Sequence, residues 1–401
     1  MTARISPHVA QLDTETAFEV LARARDLEAQ GREILHLEIG EPDFPTPDHI
    51  VQAGIRALKA GATKYCPAAG LPELREAIAQ SVHDRGLMAS PENVLVTSGS
   101  KPMLFYAITA LVRSGDEVLI PDPGFPIYES LVRFADALPV RYRVSAEAAQ
   151  AIDPADIAAR ITPRTRVLVL NSPHNPTGAA LDLSTAAALA ELAIRHDLTV
   201  VSDEVYARLG YDCWRSSIAT LPGMAERTVV VDGFSKTYAM TGWRLGYGVA
   251  PASLIRQLER FVINTTSCAP PFVQQAGIAA LTGPQDCVLE MVMEYRVRRG
   301  LIVSGLDCLS GVSCSAPHGA FYAFPRISEW LEELDTTTEL VASVLLDAFG
   351  LACLPGTAFG PGGAGHLRFS FATSRETIHR ALEVLRLVSP SALEPAVRRE
   401  G

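Results

Sequence analysis

Residues 228–250, TVVVDGFSKTYAMTGWRLGYGVA, place a polar segment between two apolar runs, TVVVDGF and LGYGVA. Both runs are typical of buried β-strands. The polar segment carries Lys236 and, further along, Arg244. A lysine just after the end of a buried strand is, taken alone, most often a solvated loop residue. Its role therefore depends on what the rest of the chain brings to the same place.

The region upstream of this stretch alternates apolar runs with segments of helical period. Four further candidate strands occur between residues 93 and 204: NVLVTSG, EVLIPDP, RVLVLNS and LTVVSDE. Segments with apolar residues at three- and four-residue spacing separate them and predict helices, as in KPMLFYAITALVR and STAAALAELAIRH. This alternation predicts an α/β domain with a mostly parallel central sheet flanked by helices. Ligands bind beyond the carboxyl ends of the strands in such sheets, so the residues after each run form the candidate site.

The two ends of the chain differ from this central region. The N-terminal part predicts an amphipathic helix, TAFEVLARARDLEAQ, and then a strand, EILHLE. The C-terminal part predicts a long helix from about residue 288, followed by short strands and glycine-rich turns. We therefore expect a smaller α+β domain built from both termini, with an N-terminal segment at residues 1–46 and a C-terminal part at residues 288–401. The large domain would cover residues 47–287.

The composition argues against several classes of protein. Hydrophobic residues make up 48% and charged residues 20% of the 401-residue chain, which is ordinary for a soluble globular protein. No apolar run approaches the roughly 20 residues that span a bilayer, and the N-terminus lacks a secretory signal, so we expect a cytoplasmic protein without a membrane partner. The net charge of -10 disfavours nucleic acid as a partner. The seven cysteines form no C-x-x-C pair and predict reduced thiols, and without an H-E-x-x-H motif we expect no metal site.

The residues that follow the predicted strands supply an unusual set of functional groups. The set comprises a glycine-serine turn that opens a helix, an aromatic ring, an amide, a carboxylate, a phenol, amines and a guanidinium. Its members are Gly99, Ser100, Lys101, Phe125, Asn175, Asp203, Tyr206, Ser235, Lys236 and Arg244. Each of them, taken alone, has an ordinary explanation as a turn, cap or packing residue. One ligand uses all of these groups at once, and that ligand is pyridoxal phosphate.

Each part of pyridoxal phosphate has a candidate partner in this set. The helix that begins near Ser100 offers free backbone N–H groups and a favourable dipole to the phosphate, and Arg244 can add a bidentate contact. Asp203 would keep the pyridine nitrogen protonated, so that the ring acts as an electron sink. Tyr206 and Asn175 can both hydrogen-bond the phenolic oxygen of the ring.

Lys236 supplies the amine that the cofactor's aldehyde requires. A neighbouring cation such as Arg244 would lower the proton affinity of this amine and favour its nucleophilic free base. Phe125 would stack on the face of the ring. We therefore interpret Lys236 as the residue that forms a Schiff base with the cofactor.

The same segments carry a family resemblance. SKTYAMTGWRLGY, NSPHNPTG and SDEVYARL resemble signature segments of the class I, aspartate aminotransferase-like aminotransferases of the fold-type-I pyridoxal-phosphate-dependent superfamily. They occur here in the family's order and spacing. GEPDFPTP, TKYCPAAGLPELREAIA and HLRFSFATS extend the resemblance to roughly residues 35–375. The resemblance implies a large domain with a mostly parallel sheet and a smaller domain from both termini.

The resemblance also implies roles for individual residues. Lys236, Asp203 and Tyr206 would be the catalytic residues, and Asp203 would pair with the pyridinium nitrogen. Many family members carry a serine or threonine where this chain has Gly233. The phosphate would therefore depend on Ser100, Lys101, Ser235 and Arg244.

Three residues outside the central run of strands gain a role only from the resemblance. Arg368 would bind the α-carboxylate of the substrate, together with Asn175 and the backbone at Gly40. On the sequence pattern alone, Arg368 would more often be an exposed sheet residue. Tyr65 would reach the phosphate of a neighbouring subunit, which implies a homodimer.

The expected activity is a ping-pong transfer of an amino group from an L-amino acid to a 2-oxo acid through a Lys236 Schiff base. The same scaffold resembles carbon–sulfur lyases, cyclopropane-forming synthases and amino-acid oxidases, which remain alternatives. The donor stays open as well. No clearly placed second arginine indicates a dicarboxylate-specific enzyme, and Phe18 favours an apolar pocket.

Overall fold

The computed structural model describes residues 6, 8–12, 14–147, 151–211, 216–388, 392–395 and 397. Six cysteines in these ranges are free thiols, and Cys213 lies outside the described residues. Within the same ranges, no helix has both the length and the apolar character needed to cross a membrane.

Helices and strands alternate along most of the described chain. The helices are α1 (Thr16–Ala29), α2 (Asp48–Lys59), α3 (Pro72–His83), α4 (Ser100–Leu111), α5 (Ile127–Phe134), α6 (Pro154–Arg160), α7 (Leu183–Arg195), α8 (Ala252–Thr265), α9 (Pro271–Thr282), α10 (Asp286–Asp307), α11 (Ser328–Leu334), α12 (Thr338–Phe349) and α13 (Arg375–Leu387). The strands are β1 (Leu35–His36), β2 (Val94–Thr97), β3 (Glu117–Asp122), β4 (Leu138–Arg143), β5 (Thr165–Asn171), β6 (Thr199–Asp203), β7 (Thr228–Gly233), β8 (Gly246–Val249), β9 (Tyr322–Ala323), β10 (Leu351–Ala352), β11 (Leu354–Pro355) and β12 (Leu367–Ser370).

The central sheet has seven strands in the order β2-β8-β7-β6-β5-β3-β4. β8 runs antiparallel to both of its neighbours, whereas the pairs among β3 to β7 are parallel. The predicted α/β fold with a mostly parallel sheet is therefore confirmed. The sequence pattern does not predict β4, LPVRYR, because this edge strand is mostly half-exposed and lacks a continuous apolar run.

Helices cover both faces of the central sheet, and β5 shows how. Val167 and Val169 pack with side chains from α4, α5 and α8 on one face. Leu168 and Leu170 pack with α6 and α7 on the other. Successive side chains of a strand point to opposite faces, so this strand is apolar throughout because both of its faces are buried.

A smaller α+β unit combines strands from both ends of the chain. β1 pairs in parallel with β10, and β11-β12-β9 form an antiparallel sheet. Its core includes Leu37 from the N-terminal part and Tyr295, Phe321 and Phe369 from the C-terminal part. The smaller unit from both termini is thus confirmed. The boundaries at residues 1–46, 47–287 and 288–401 stay a prediction.

Candidate active site

A cavity of about 520 Å³ lies beyond the carboxyl ends of β5, β6 and β7. The residues predicted from the sequence as a site all line it, except Gly99 and Tyr65. Gly99 is the residue before α4 and adjoins the cavity through Ser100. Tyr65 is 86% exposed and lies outside the cavity, so its predicted contact with a second subunit stays a prediction.

Lys236 lies in the segment after β7, and its amine donates a hydrogen bond of 2.6 Å to the carbonyl oxygen of Gly40. Burial lowers the pKa of Lys236 to about 8. The negative charge of Glu41 opposes this shift, and the positive charges of Lys101 and Arg244 add to it. Burial, rather than the neighbouring cation expected from the sequence, is the largest cause of this shift in the pKa of Lys236. About a tenth of this amine is therefore uncharged at pH 7, against less than about one part in a thousand at its ordinary pKa of 10.5.

Arg244 and the first turn of α4 form one cradle. A Cβ atom at Gly99 would lie 2.4 Å from Nη2 of Arg244, so the guanidinium packs directly on the glycine. Gly99 also has a φ of 95°, which a side chain would strain. A Cβ atom at Gly246 would lie 2.4 Å from the backbone nitrogen of Ser100, so β8 also approaches the helix start closely. The cradle combines an exposed guanidinium, whose Nη1 donates to the carbonyl oxygen of Thr241 at 2.9 Å, with the free N–H groups of a helix N-terminus, which suits a phosphate.

Asp203 is a buried carboxylate at the end of β6. The hydroxyl of Tyr128 donates to its Oδ2 at 2.7 Å, and the backbone N–H of Val205 donates to its Oδ1 at 3.3 Å. Burial raises the pKa of Asp203 to about 6, against the effect of the Tyr128 hydrogen bond. A buried carboxylate with so few donors favours a cationic partner in the adjoining cavity.

Arg368 is 3% exposed, although its sequence pattern alone predicts an exposed sheet residue. That reading is wrong because β12 is the middle strand of a small sheet and faces the cavity. Its Nη1 donates to Oδ1 of Asn175 at 3.2 Å, and its Nη2 donates to the carbonyl oxygen of Glu38. Its Nε is buried without a hydrogen-bond partner among the described residues. This guanidinium can therefore still donate a hydrogen bond to an anion.

Tyr322 is a site residue that the sequence analysis missed. Its hydroxyl lies 2.8 Å from that of Tyr206, and its ring centroid lies 4.5 Å from Cζ of Arg368. A Cβ atom at Gly40 would lie 2.0 Å from its hydroxyl oxygen, so any side chain at that position would displace the Tyr322 ring. Tyr322 belongs to the short strand β9 rather than to the central sheet, and no strand-end signal marks it.

Lys101 points toward the N-terminal helix. Its amine pairs with the carboxylate of Glu15. The amine also lies 5.4 Å from the ring centroid of Phe125 and 5.9 Å from that of Phe18. The predicted contact of Lys101 with the phosphate stays a prediction. Glu15 was not anticipated as a lining residue of the cavity.

His174 lies in the loop after β5, and its ring is buried. Its Nδ1 lies 2.8 Å from Oγ1 of Thr177, and burial lowers its pKa to about 3. The imidazole is therefore neutral at physiological pH, and it does not line the cavity.

These residues fit pyridoxal phosphate. The cradle of Gly99, Ser100 and Arg244 suits its phosphate, and the under-partnered Asp203 suits a protonated ring nitrogen. The amine of Lys236 has a lowered pKa, which suits reaction with an aldehyde. The free Nε of Arg368 suits a carboxylate of the substrate.

The chain is similar to known proteins over almost its whole length. The family model described as aminotransferase class I and II matches residues 32–385. An aspartate/prephenate aminotransferase of Cereibacter sphaeroides is 38% identical over 389 residues, which are 94% of this chain and 97% of that protein. An aspartate aminotransferase of Geobacillus stearothermophilus is 36% identical over 385 residues, 95% of this chain and 97% of that protein. The structure of the aspartate aminotransferase from Thermus thermophilus with maleate superposes with a TM-score of 0.91 at 38% identity, covering 97% of this chain and 100% of that one.

Proposed function

The chain belongs to the class I and II aminotransferase family, and from that premise we propose which of its residues transfer the amino group. The protein is a pyridoxal-phosphate-dependent aminotransferase that uses an amino acid and a 2-oxo acid. The observation that carries the proposed roles is the half-buried Lys236 amine, with a pKa of about 8, in the same cavity as Arg244 and Arg368. Pyridoxal phosphate, when bound, supplies an aldehyde for the amino group and a ring that withdraws electrons from Cα.

Five side chains would hold the cofactor. Arg244 and the N-terminus of α4 would bind its phosphate, with Ser235 as a further donor. Asp203 would bind the ring nitrogen, and Asn175 and Tyr206 would donate to the phenolic oxygen. The support for these roles is that all five side chains line one cavity at the strand ends. Phe125 lines the same cavity and would cover the ring.

Lys236 would be the residue that moves the proton. Its amine, once released from the cofactor, would take the proton from Cα of the amino acid and deliver it to the cofactor. A pKa near the working pH is the condition for efficient transfer in both directions, and the pKa of about 8 meets it. Arg368 would hold the α-carboxylate, which fixes Cα within reach of the amine.

We expect an acidic amino acid as the donor. Lys101 and Glu15 both line the cavity, and a side-chain carboxylate of the substrate would replace Glu15 on the Lys101 amine. The relatives named as aspartate aminotransferases support this reading. The exposed ring of Phe18 beside the same amine supports the second candidate, a donor with an apolar side chain.

A homodimer is the proposed working unit. Tyr65 carries a large ring that is 86% exposed in the single chain, as expected of a residue that completes a neighbouring site. The test mixes Lys236→Ala with Tyr65→Ala, both of which the proposal predicts to be inactive, under conditions of subunit exchange. If Tyr65 acts across the interface, the mixed dimer contains one intact site and activity returns. If the mixture stays as inactive as its components, Tyr65 does not act in this way.

The decisive experiment for the reaction is the absorption spectrum of the purified, cofactor-loaded protein. Addition of a donor amino acid should bleach the band of the bound cofactor, and a 2-oxo acid should restore it. Parallel titrations with aspartate, glutamate, alanine and phenylalanine identify the donor. Steady ammonia release without a 2-oxo acid would instead favour a lyase or an oxidase.

The Lys101→Met variant separates the two donor candidates. If Lys101 binds the acidic side chain of the donor, kcat/KM falls for aspartate much more than for alanine. Equal losses for both donors, with weaker cofactor binding, would place Lys101 at the phosphate instead.

A further inference from the structure

Glu38 is a charged side chain in an unusual position, fully buried two residues before Gly40. Its Oε1 lies 2.8 Å from Nδ1 of His36. Its Oε2 is buried without a hydrogen-bond partner among the described residues. Its backbone carbonyl accepts the hydrogen bond from Nη2 of Arg368. A buried carboxylate with one side-chain partner costs stability, so its presence beside the site requires an explanation.

His36 compensates this carboxylate. Its ring lies between two acidic groups, with Nδ1 on Glu38 and Nε2 at 3.2 Å from Oε1 of Glu28 on α1. The hydrogen bond with Glu38 raises the pKa of His36 to about 9, Glu28 acts in the same direction, and burial opposes them. The imidazole is therefore a cation at neutral pH.

The other elements packed on β1 do not change this balance. The residues opposite β1 on β10 are Leu351 and Ala352, which do not titrate. On α13, the guanidinium of Arg380 pairs with Glu33 rather than with the imidazole. On the site side, Glu38 interacts electrostatically with Arg368 and with the buried thiol of Cys353, whose pKa is raised by burial.

The charges form a row from the surface to the cavity. Glu28, His36, Glu38 and Arg368 alternate in sign and sum to zero when the imidazole is protonated. A substrate α-carboxylate on Arg368 adds one negative charge. If His36 were neutral, that carboxylate would share a single buried cation with Glu38, and the repulsion between the two anions would weaken its binding.

We propose that His36 and Glu38 are positioning residues for substrate binding, in which the imidazolium balances Glu38 and leaves the charge of Arg368 available to the α-carboxylate. The proposal rests on the proposed role of Arg368 in binding that carboxylate. Neither residue touches the substrate, because both act through Arg368: His36 through charge, and Glu38 through its backbone carbonyl.

The first test is a charge-balance cycle in the cofactor-loaded protein. His36→Gln should raise KM for the amino acid and for the 2-oxo acid about tenfold, with kcat changed by less than about threefold, because both substrates carry the carboxylate. The double variant His36→Gln/Glu38→Gln removes both charges and should recover most of the affinity. His196→Gln, at an exposed histidine after α7, is the matched control. No recovery in the double variant would overturn the proposal, since a purely structural role predicts a further loss.

The second test does not need turnover. An NMR titration of the histidines in the cofactor-loaded protein should place the midpoint of His36 near 9, and Glu38→Gln should lower it. The Kd for maleate, a dicarboxylate that cannot donate an amino group, should rise in His36→Gln and fall back in the double variant. A pKa of His36 near the ordinary 6.5, or a Kd for maleate that His36→Gln leaves unchanged, would overturn the proposal. If no amino acid is turned over, the proposed function fails, while this titration and the maleate Kd still decide the His36 proposal.

Discussion

Asp203 and Glu204 are adjacent carboxylates at the end of β6, but they face opposite sides of the sheet and differ in their hydrogen-bond partners. Asp203 faces the cavity and receives one side-chain donor, the hydroxyl of Tyr128. Glu204 points to the other face of the sheet, where its Oε1 accepts from Ser202 at 2.8 Å and from Ser217 at 2.5 Å. The two residues are therefore neighbours at one strand end and are both buried, but they differ in how many hydrogen-bond partners the protein gives them.

The network behind the sheet is complete within the chain. Arg85 pairs with Glu204 and with Oδ2 of Asp232, at 3.1 Å in the second case. Asp232 also accepts from the hydroxyl of Tyr247 at 3.1 Å and from the backbone N–H of Gly233 at 2.7 Å. Such a satisfied network fixes the ends of β6 and β7, which carry Asp203 and lead to Lys236.

On the cavity side of the sheet, buried polar groups lack some of the hydrogen-bond partners that they could have. Nε of Arg368 has no partner among the described residues, and Asp203 has few donors. Buried polar groups are normally satisfied, so the side with unused capacity is the side that receives a ligand. The comparison separates carboxylates that hold the sheet together from those that serve the reaction.

The largest expected effect is on the cavity side, at Lys236. Lys236→Ala should reduce turnover at least about 10⁴-fold, because it removes both the covalent anchor and the proton carrier. Lys59→Ala, at an exposed lysine of α2, is the control. The measurement is kcat in the spectral assay, together with the melting temperature. A variant that keeps normal turnover would remove Lys236 from the reaction.

Behind the sheet, Arg85→Met should mainly cost stability. It leaves two buried carboxylates without their cation, which typically costs about 3–5 kcal/mol. Urea unfolding measures the loss, and kcat per folded, loaded molecule should stay nearly constant. Arg133→Met removes a half-exposed ion pair with Glu129 and should cost less than about 1 kcal/mol. Equal losses in the free energy of unfolding for Arg85→Met and Arg133→Met would mean that the network does not stabilise the strand ends.

The pH dependence of the stability of the cofactor-free protein should reveal the cost of burying the Asp203 carboxylate. Its folded-state pKa of about 6 exceeds the ordinary value of 3.8, so the folded state binds the proton more tightly than the unfolded state. Stability therefore falls as pH rises between about 4 and 6, by about 3 kcal/mol. Asp203→Asn should lack this component, while Asp232, whose pKa burial also raises to about 6, contributes to the pH dependence of both proteins. Parallel stability curves for wild type and variant would contradict the assignment.

A smaller effect is expected at Tyr128. Tyr128→Phe removes the side-chain donor of Asp203 and should lower kcat/KM about tenfold, because hydrogen bonds to charged groups contribute about 1.5–3 kcal/mol. The matched control is Tyr142→Phe, whose buried hydroxyl donates to the carbonyl of Val169 at 2.8 Å. It should lose stability without losing activity. Similar kinetics in both variants would mean that Tyr128 is only a packing residue.

The sequence predicts the central sheet and much of the site because both follow from one pattern. Strands that are buried on both faces leave continuous apolar runs, and the parallel arrangement brings the residues after them together. Lys236, Asp203 and Asn175 are accessible to this reasoning. The edge strand β4 is not, because half-exposed residues do not form an apolar run.

The remaining site residues depend on contacts that no local pattern records. Glu38, Tyr322 and Arg368 come from distant parts of the chain and meet beside the cavity through the small sheets. Arg368 was identified only through the resemblance, and His36 and Glu38 were not identified at all. Their importance follows from burial and charge, which depend on the folded chain.

The most direct test of the account compares kcat for Asp203→Asn and Glu204→Gln, each normalised to the folded, cofactor-loaded fraction. Asp203→Asn should lose about 10²- to 10³-fold, because it removes the charge that would stabilise the ring nitrogen. Glu204→Gln should stay within about threefold of wild type while its melting temperature falls. Equal losses of kcat, or a larger loss in Glu204→Gln, would contradict the division between the two faces of the sheet.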